Sequence, residues 1–205
     1  MLGLPKSTEL NKQLPKNAIY AKFQMSNAEK GKVDADISKI LIVNEVSAAK
    51  INIAEGEKVK SFFVLAVILK KKEFDEKTII TISKLIPQNM VLVLEYGTQA
   101  KLAVYHTKLM QTEWQEQGRL FLELKGLDMD AVWENVLRSI EGGEWKDELS
   151  LDENLALREQ QQKLEKEIAR LEKMARSEKQ PKKKFELVQK IRELKIKVEF
   201  CNGLH

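Results

Sequence analysis

The sequence predicts an α+β body followed by a charged helical hairpin, and three observations carry that reading. Short uninterrupted apolar runs of strand length occur at residues 62–69 and 90–94. Stretches with apolar residues three and four apart alternate with them. The last fifty or so residues change character, to leucines seven apart in a background of Lys, Arg and Glu. Residues 1–145 are therefore expected to form a mixed sheet of about five strands flanked by roughly three helices. Residues 150–201 are expected to form an antiparallel hairpin with coiled-coil spacing.

Taken in order, Ser7, Glu9 and Leu10 read as a short helix ended before Pro15. Tyr20 to Phe23 fits a strand or the start of a helix equally. Val33, Ile37, Ile40 and Leu41 predict an amphipathic helix over residues 29–46. Ile51 and Ile53 alternate before the turn signal Glu55, Gly56, Glu57, so a hairpin is expected whose second strand, residues 59–69, is central. Asp75 is a candidate N-cap for a helix through Ile79, Ile82, Leu85 and Ile86 that Pro87 stops. A strand at residues 90–95 completes a strand–helix–strand crossover, which demands a parallel pair. Gly97 and Thr98 mark a turn into an antiparallel strand at residues 101–105, and residues 112–114 and 120–124 are two further strand candidates. The final body helix spans residues 127–140, with Leu127, Ala131, Val132, Val136, Leu137 and Ile140 on its stripe and Gly142 and Gly143 at its end.

In the tail, Leu157, Leu164 and Leu171 are seven apart, with Ile168 and Ala175 in the alternate seam positions. The next apolar set, Leu187, Ile191, Leu194 and Val198, has shifted register, which a turn at Ser177 to Pro181 explains. Helices over residues 152–176 and 182–200 follow, with a single continuous helix kinked at Pro181 as the competing reading. Residues 158–199 hold 14 Lys or Arg against 8 Glu, so the chain's net charge of +4 resides entirely in the tail. Its densest point is Lys179, Lys182, Lys183 and Lys184 at the hairpin tip, the candidate contact for phosphate or an acidic surface.

Composition narrows the chemistry. With one cysteine, Cys201, and two histidines, His106 and His205, neither a disulfide scaffold nor a Cys/His zinc module can be built. His106 reads as a strand-end residue instead of a base. The nine glycines form no phosphate-binding loop, and no cofactor is expected. The start has no apolar run of signal-peptide length and no stretch reaches bilayer-spanning length, so a cytoplasmic chain without membrane contact is expected. Trp114 and Trp133 read as core anchors, and Trp145 as a residue seating the hairpin's base. One acidic pattern suggests catalysis: Glu123 and Lys125, spaced as Glu-x-Lys at a strand end, suit a Mg²⁺-dependent nuclease if Glu113 or Glu95 supplies the second carboxylate.

Several stretches together carry a resemblance: Leu4 to Glu9, Leu14 to Lys16, Val33 to Ile37, Leu85 to Pro87, Gln111 to Trp114, and the lysine-rich terminal helices. In this order they resemble a bacterial and archaeal family designated domain of unknown function 4391. The resemblance covers nearly the whole chain. It implies a setting beside DNA methyltransferase and helicase genes in restriction-modification-like or anti-phage loci, and it implies no catalytic residues. The expected function is accordingly a non-catalytic accessory or adaptor protein. Leu157, Leu164, Ile168, Leu171, Leu187, Ile191, Leu194 and Val198 would bind a helicase, a methyltransferase or a second copy. The tip lysines would contact DNA if DNA is touched. The alternative is a divergent nuclease built on Glu123, Lys125 and Glu113.

Overall fold

The computed structural model describes residues 2–84, 87–143, 145–146 and 149–202, except for the side chains from residue 200 onward. Leu85, Ile86 and the side chain of Cys201 lie outside the described residues. The chain divides into two compact units, Met1–Gly143 and Glu144–His205.

The first unit is a mixed sheet with helices on both faces. Its elements are β1 (Glu9–Gln13), α1 (Lys16–Lys22), α2 (Asn27–Asp36), β2 (Ile37–Ser47), α3 (Ala48–Ile51), β3 (Ser61–Leu69), α4 (Glu76–Ser83), β4 (Asn89–Tyr96), β5 (Gln99–Tyr105), β6 (Leu109–Gln111), β7 (Gln115–Glu116) and α5 (Met129–Glu141). Among the described residues the sheet has seven strands in the order β1-β2-β3-β4-β5-β6, and β7 pairs with β5 beyond the reach of the short β6. The expected crossover is present. β3 and β4 run parallel, from Phe62 opposite Asn89 to Ile68 opposite Glu95, with α4 between them. Every other pair is antiparallel, including the β4–β5 hairpin that turns at Gly97, whose φ of +59° favours glycine.

The apolar runs of β3 and β4 are continuous because both faces of these strands are covered. On one face Leu65, Val67 and Leu69 of β3 and Leu92 and Leu94 of β4 pack with Ile19 of α1, Val33 of α2, and Ile79 and Ile82 of α4. The alternate residues Phe62, Val64, Val91 and Val93 are also buried, and the Phe62 ring meets Trp133 of α5 at 5.1 Å between centroids. Trp133 is thus the core anchor that its sequence position suggests.

Five expectations need correction. The helix expected at Ser7 is a single 3-10 turn, Lys6–Thr8, followed by β1, which pairs antiparallel with β2. Buried Asn44 of β2 donates to the Thr8 hydroxyl at 2.8 Å, so a tertiary bond overrides local helix signals. The helix expected over residues 29–46 stops at Asp36, and β2 begins directly. Its buried residues, Ile37, Ile40, Asn44 and Val46, are unevenly spaced because bulges fall between Ile37 and Lys39 and between Ile42 and Asn44. Each bulge inserts one residue and mimics helical spacing. Ile51 to Ile53 is no strand: α3 ends there, with Asn52 in the left-handed region. The strand candidates at residues 112–114 and 120–124 are displaced to β6 and β7, leaving one isolated bridge between Leu2 and Phe121. Leu127 is also off the α5 stripe, 90% exposed, because Asp128 is the N-cap and accepts from the Ala131 N–H at 2.8 Å.

Two carboxylates pin loops. Asp130 of α5 accepts backbone N–H bonds from Glu57 at 2.8 Å and Val59 at 2.7 Å, bonds that hold its pKa below the usual range. A Cβ on Gly56 would run into that carboxylate and into the Val59 carbonyl, so only glycine allows the approach. Asp36 closes the loop between β3 and α4: it accepts from the Asp75 N–H at 3.0 Å and pairs with Lys71 at 2.8 Å, its own side chain 5% exposed. Burial pushes the Asp36 carboxyl up, but Lys71 and the Asp75 N–H outweigh it and hold it below its ordinary value. A folded pKa below the unfolded one contributes stability above the unfolded value of about 3.9, and that stability is lost as pH falls through the lower folded value. Asp36→Ala should cost about 1–3 kcal/mol at pH 7, since Lys71 is half exposed and only the part-buried Asp75 N–H is left unpaired. Urea unfolding at pH 7 and at pH 3 checks this; the wild-type advantage should shrink at the lower pH.

Candidate interaction surface

The second unit contains α6 (Leu151–Ser177) and α7 (Pro181–Asn202), packed against one another as a hairpin. Its base is set by short polar residues. Ser150 caps α6 in a box with Glu153, each side chain meeting the other's backbone N–H, at 3.4 and 2.9 Å. Buried Asn154 accepts from the Lys146 N–H at 3.0 Å and donates to the Lys146 carbonyl at 2.9 Å and the Leu149 carbonyl at 3.0 Å. This side chain ties the approach segment to the first turn of the helix. Trp145 stacks under the Arg158 guanidinium, 5.7 Å from the ring centroid.

The heptad residues hold the hairpin together. Leu171, Ala175 and Ile191 are buried as one cluster, with Ile168, Leu187 and Leu194 packed against it. Leu157, Leu164 and Val198, the other expected partner-binding residues, are half-buried. Glu172 of α6 reaches Lys195 of α7 at 2.8 Å, and that contact keeps its carboxyl below the ordinary range. The seam expected to hold a partner is therefore largely the contact between α6 and α7. Most helical stability in proteins comes from packing of an apolar face, and this apolar contact is what stabilises α7.

What the heptad reading missed lies elsewhere on α7. Phe185 is 64% exposed, Val188 47% and Ile196 55%. With Arg192 they are spaced three, four and four residues apart, which places them on one stripe distinct from Leu187, Ile191, Leu194 and Val198. The signal was present as a second three-four pattern inside the same helix. Exposed apolar side chains grouped on one face are a mark of interaction surfaces.

The tip lies where the lysine count placed it. Lys179 is in the turn, and Lys182, Lys183 and Lys184 occupy the first turn of α7, all exposed. No acid shares that turn, so three ammonium groups stand at the positive end of the helix dipole. That arrangement disfavours the helix locally and favours an anion beside it.

Of the body residues considered for catalysis, Glu113, Glu123 and Lys125 lie in irregular chain and Glu95 lies in β4. Glu123 and Lys125 are exposed in the segment between β7 and α5, so the strand end on which the Glu-x-Lys reading rested is absent. Glu113, exposed between β6 and β7, acts electrostatically on Lys101. The Lys101 ammonium lies 4.9 Å from the Phe74 ring centroid and 5.1 Å from that of Trp114, which also carries the Lys72 ammonium at 5.6 Å. Burial lowers the Lys101 pKa, while Glu76 and Glu113 act in the opposite direction. Trp114 is thus a partly buried platform for two cations. Glu95 is half-buried, which raises its pKa, and Gln117 reaches it at 3.5 Å. Among the described residues, no three His, Cys, Asp or Glu side chains are disposed to hold a metal ion, and no helix is long and apolar enough to cross a membrane.

Residues 2–198 match the family described as Domain of unknown function (DUF4391). No curated protein and no solved structure matches the chain.

Proposed function

We propose that this chain, which belongs to the DUF4391 family, is a non-catalytic accessory protein that holds a partner protein on its C-terminal hairpin. The observation carrying this reading is the two-sidedness of α7: one set of apolar residues is consumed by α6, and a second set, Phe185, Val188 and Ile196, faces water. A helix stabilised through one face and left apolar on another is suited to helix-mediated recognition. The proposed setting is a bacterial restriction-modification-like or anti-phage system in the cytoplasm, whose helicase or DNA methyltransferase is the partner. DNA contact, where it occurs, is assigned to Lys179, Lys182, Lys183 and Lys184, whose charge would make it salt-dependent.

Photo-cross-linking in native cells tests the reading. A photoreactive residue replacing Val188 should capture one protein as a discrete adduct, and the same residue replacing Ile191 should give markedly less. Equal labelling from both positions, or no adduct from Val188, would contradict it.

A further inference from the structure

We infer that the outer stripe of α7 seats an acidic amphipathic helix of the partner protein. This rests on the accessory reading and specifies the partner's chemistry. The stripe from Phe185 to Ile196 is about 16 Å long, the length over which one helix lies along another. Charge selects the occupant. α7 carries seven Lys or Arg against three Glu, whereas α6 carries six against six acids, so the tail's cation excess belongs to the helix that bears the exposed stripe. Arg192 stands within the stripe, and Lys182 and Lys184 are exposed near its start. Leucine-type side chains with Glu at the flanks would cover the apolar residues and meet these cations.

The same features disfavour other occupants. A second copy docking α7 on α7 would set cation excess against cation excess. Nucleic acid would find a single ring, that of Phe185, and gains little from Val188 and Ile196, on which no base could stack. An anionic bilayer would receive three apolar side chains interrupted by a guanidinium, a small area for insertion.

The test uses the full chain and two synthetic helices of about 22 residues with identical leucine spacing, one flanked by Glu and one by Lys. The acidic peptide should bind, with an affinity that falls with added salt. It should weaken tenfold or more with Arg192→Glu and with Phe185→Ser plus Ile196→Ser, while far-ultraviolet circular dichroism stays unchanged. The Lys-flanked peptide should not bind. Equal binding of both peptides, binding of neither, association with phosphatidylglycerol vesicles in place of the peptide, or a concentration-dependent dimer that Arg192→Glu abolishes would overturn the inference. If Val188 still cross-links to a protein while the acidic peptide fails, the accessory reading stands and only the partner's chemistry is wrong. If neither occurs, both fall.

Discussion

Trp133→Ala should lower the unfolding free energy of the body by roughly 3–5 kcal/mol, the usual range for emptying an aromatic core site. Trp133 is buried on α5, and its ring meets Phe62 of the central strand β3. The substitution removes that ring contact and leaves a void lined by residues held in two elements, which limits collapse into it. A body of this size has a total stability on the order of 5–15 kcal/mol, so the loss is a large fraction of it. Urea unfolding followed by far-ultraviolet circular dichroism would show the midpoint falling with little change in slope. Trp133→Phe, which keeps a ring against Phe62, should recover more than half of the loss. A loss under about 1 kcal/mol for the alanine variant would mean that α5 is not the lid of this face.

The second large effect separates the two faces of α7. Ile191→Asp places a carboxylate in the buried cluster with Leu171 and Ala175, where burial of an unpaired charge and loss of apolar contact together cost roughly 3–5 kcal/mol. The tail should lose helicity and its backbone amides should lose protection from hydrogen exchange. Phe185→Ser, at a side chain 64% exposed, should change neither by a measurable amount. Two apolar residues of one helix are thus expected to differ sharply, because one is used inside the unit and the other is not.

Residues that report local chemistry were readable without coordinates. Asp75 caps α4 as its position suggests, accepting from the Lys77 N–H at 2.9 Å, and Gly142 ends α5 with φ +67°. The crossover of β3, α4 and β4 follows from run lengths and turn residues alone. β2 was not readable, because two bulges gave a strand the spacing of a helix. β1 exists through its pairing with β2, with the Thr8–Asn44 bond across 36 residues beside it, and no local pattern contains either. In the hairpin, the heptad identified the residues that hold α6 to α7, and for that reason it could not identify what α7 offers outward. A seam is the strongest apolar pattern in such a helix, and a weaker stripe beside it is visible only once the seam's partner is known.

The claim that α7 binds with one face and is held by the other is tested most directly by partner retention in native cells. The variant is the full chain carrying Phe185→Ser and Ile196→Ser, with helicity and hydrogen exchange measured in parallel. The predicted result is loss of the co-purifying protein from a hairpin whose helix content and protection match the wild type. Retention of that protein at wild-type level, with the outer stripe removed, would contradict the account.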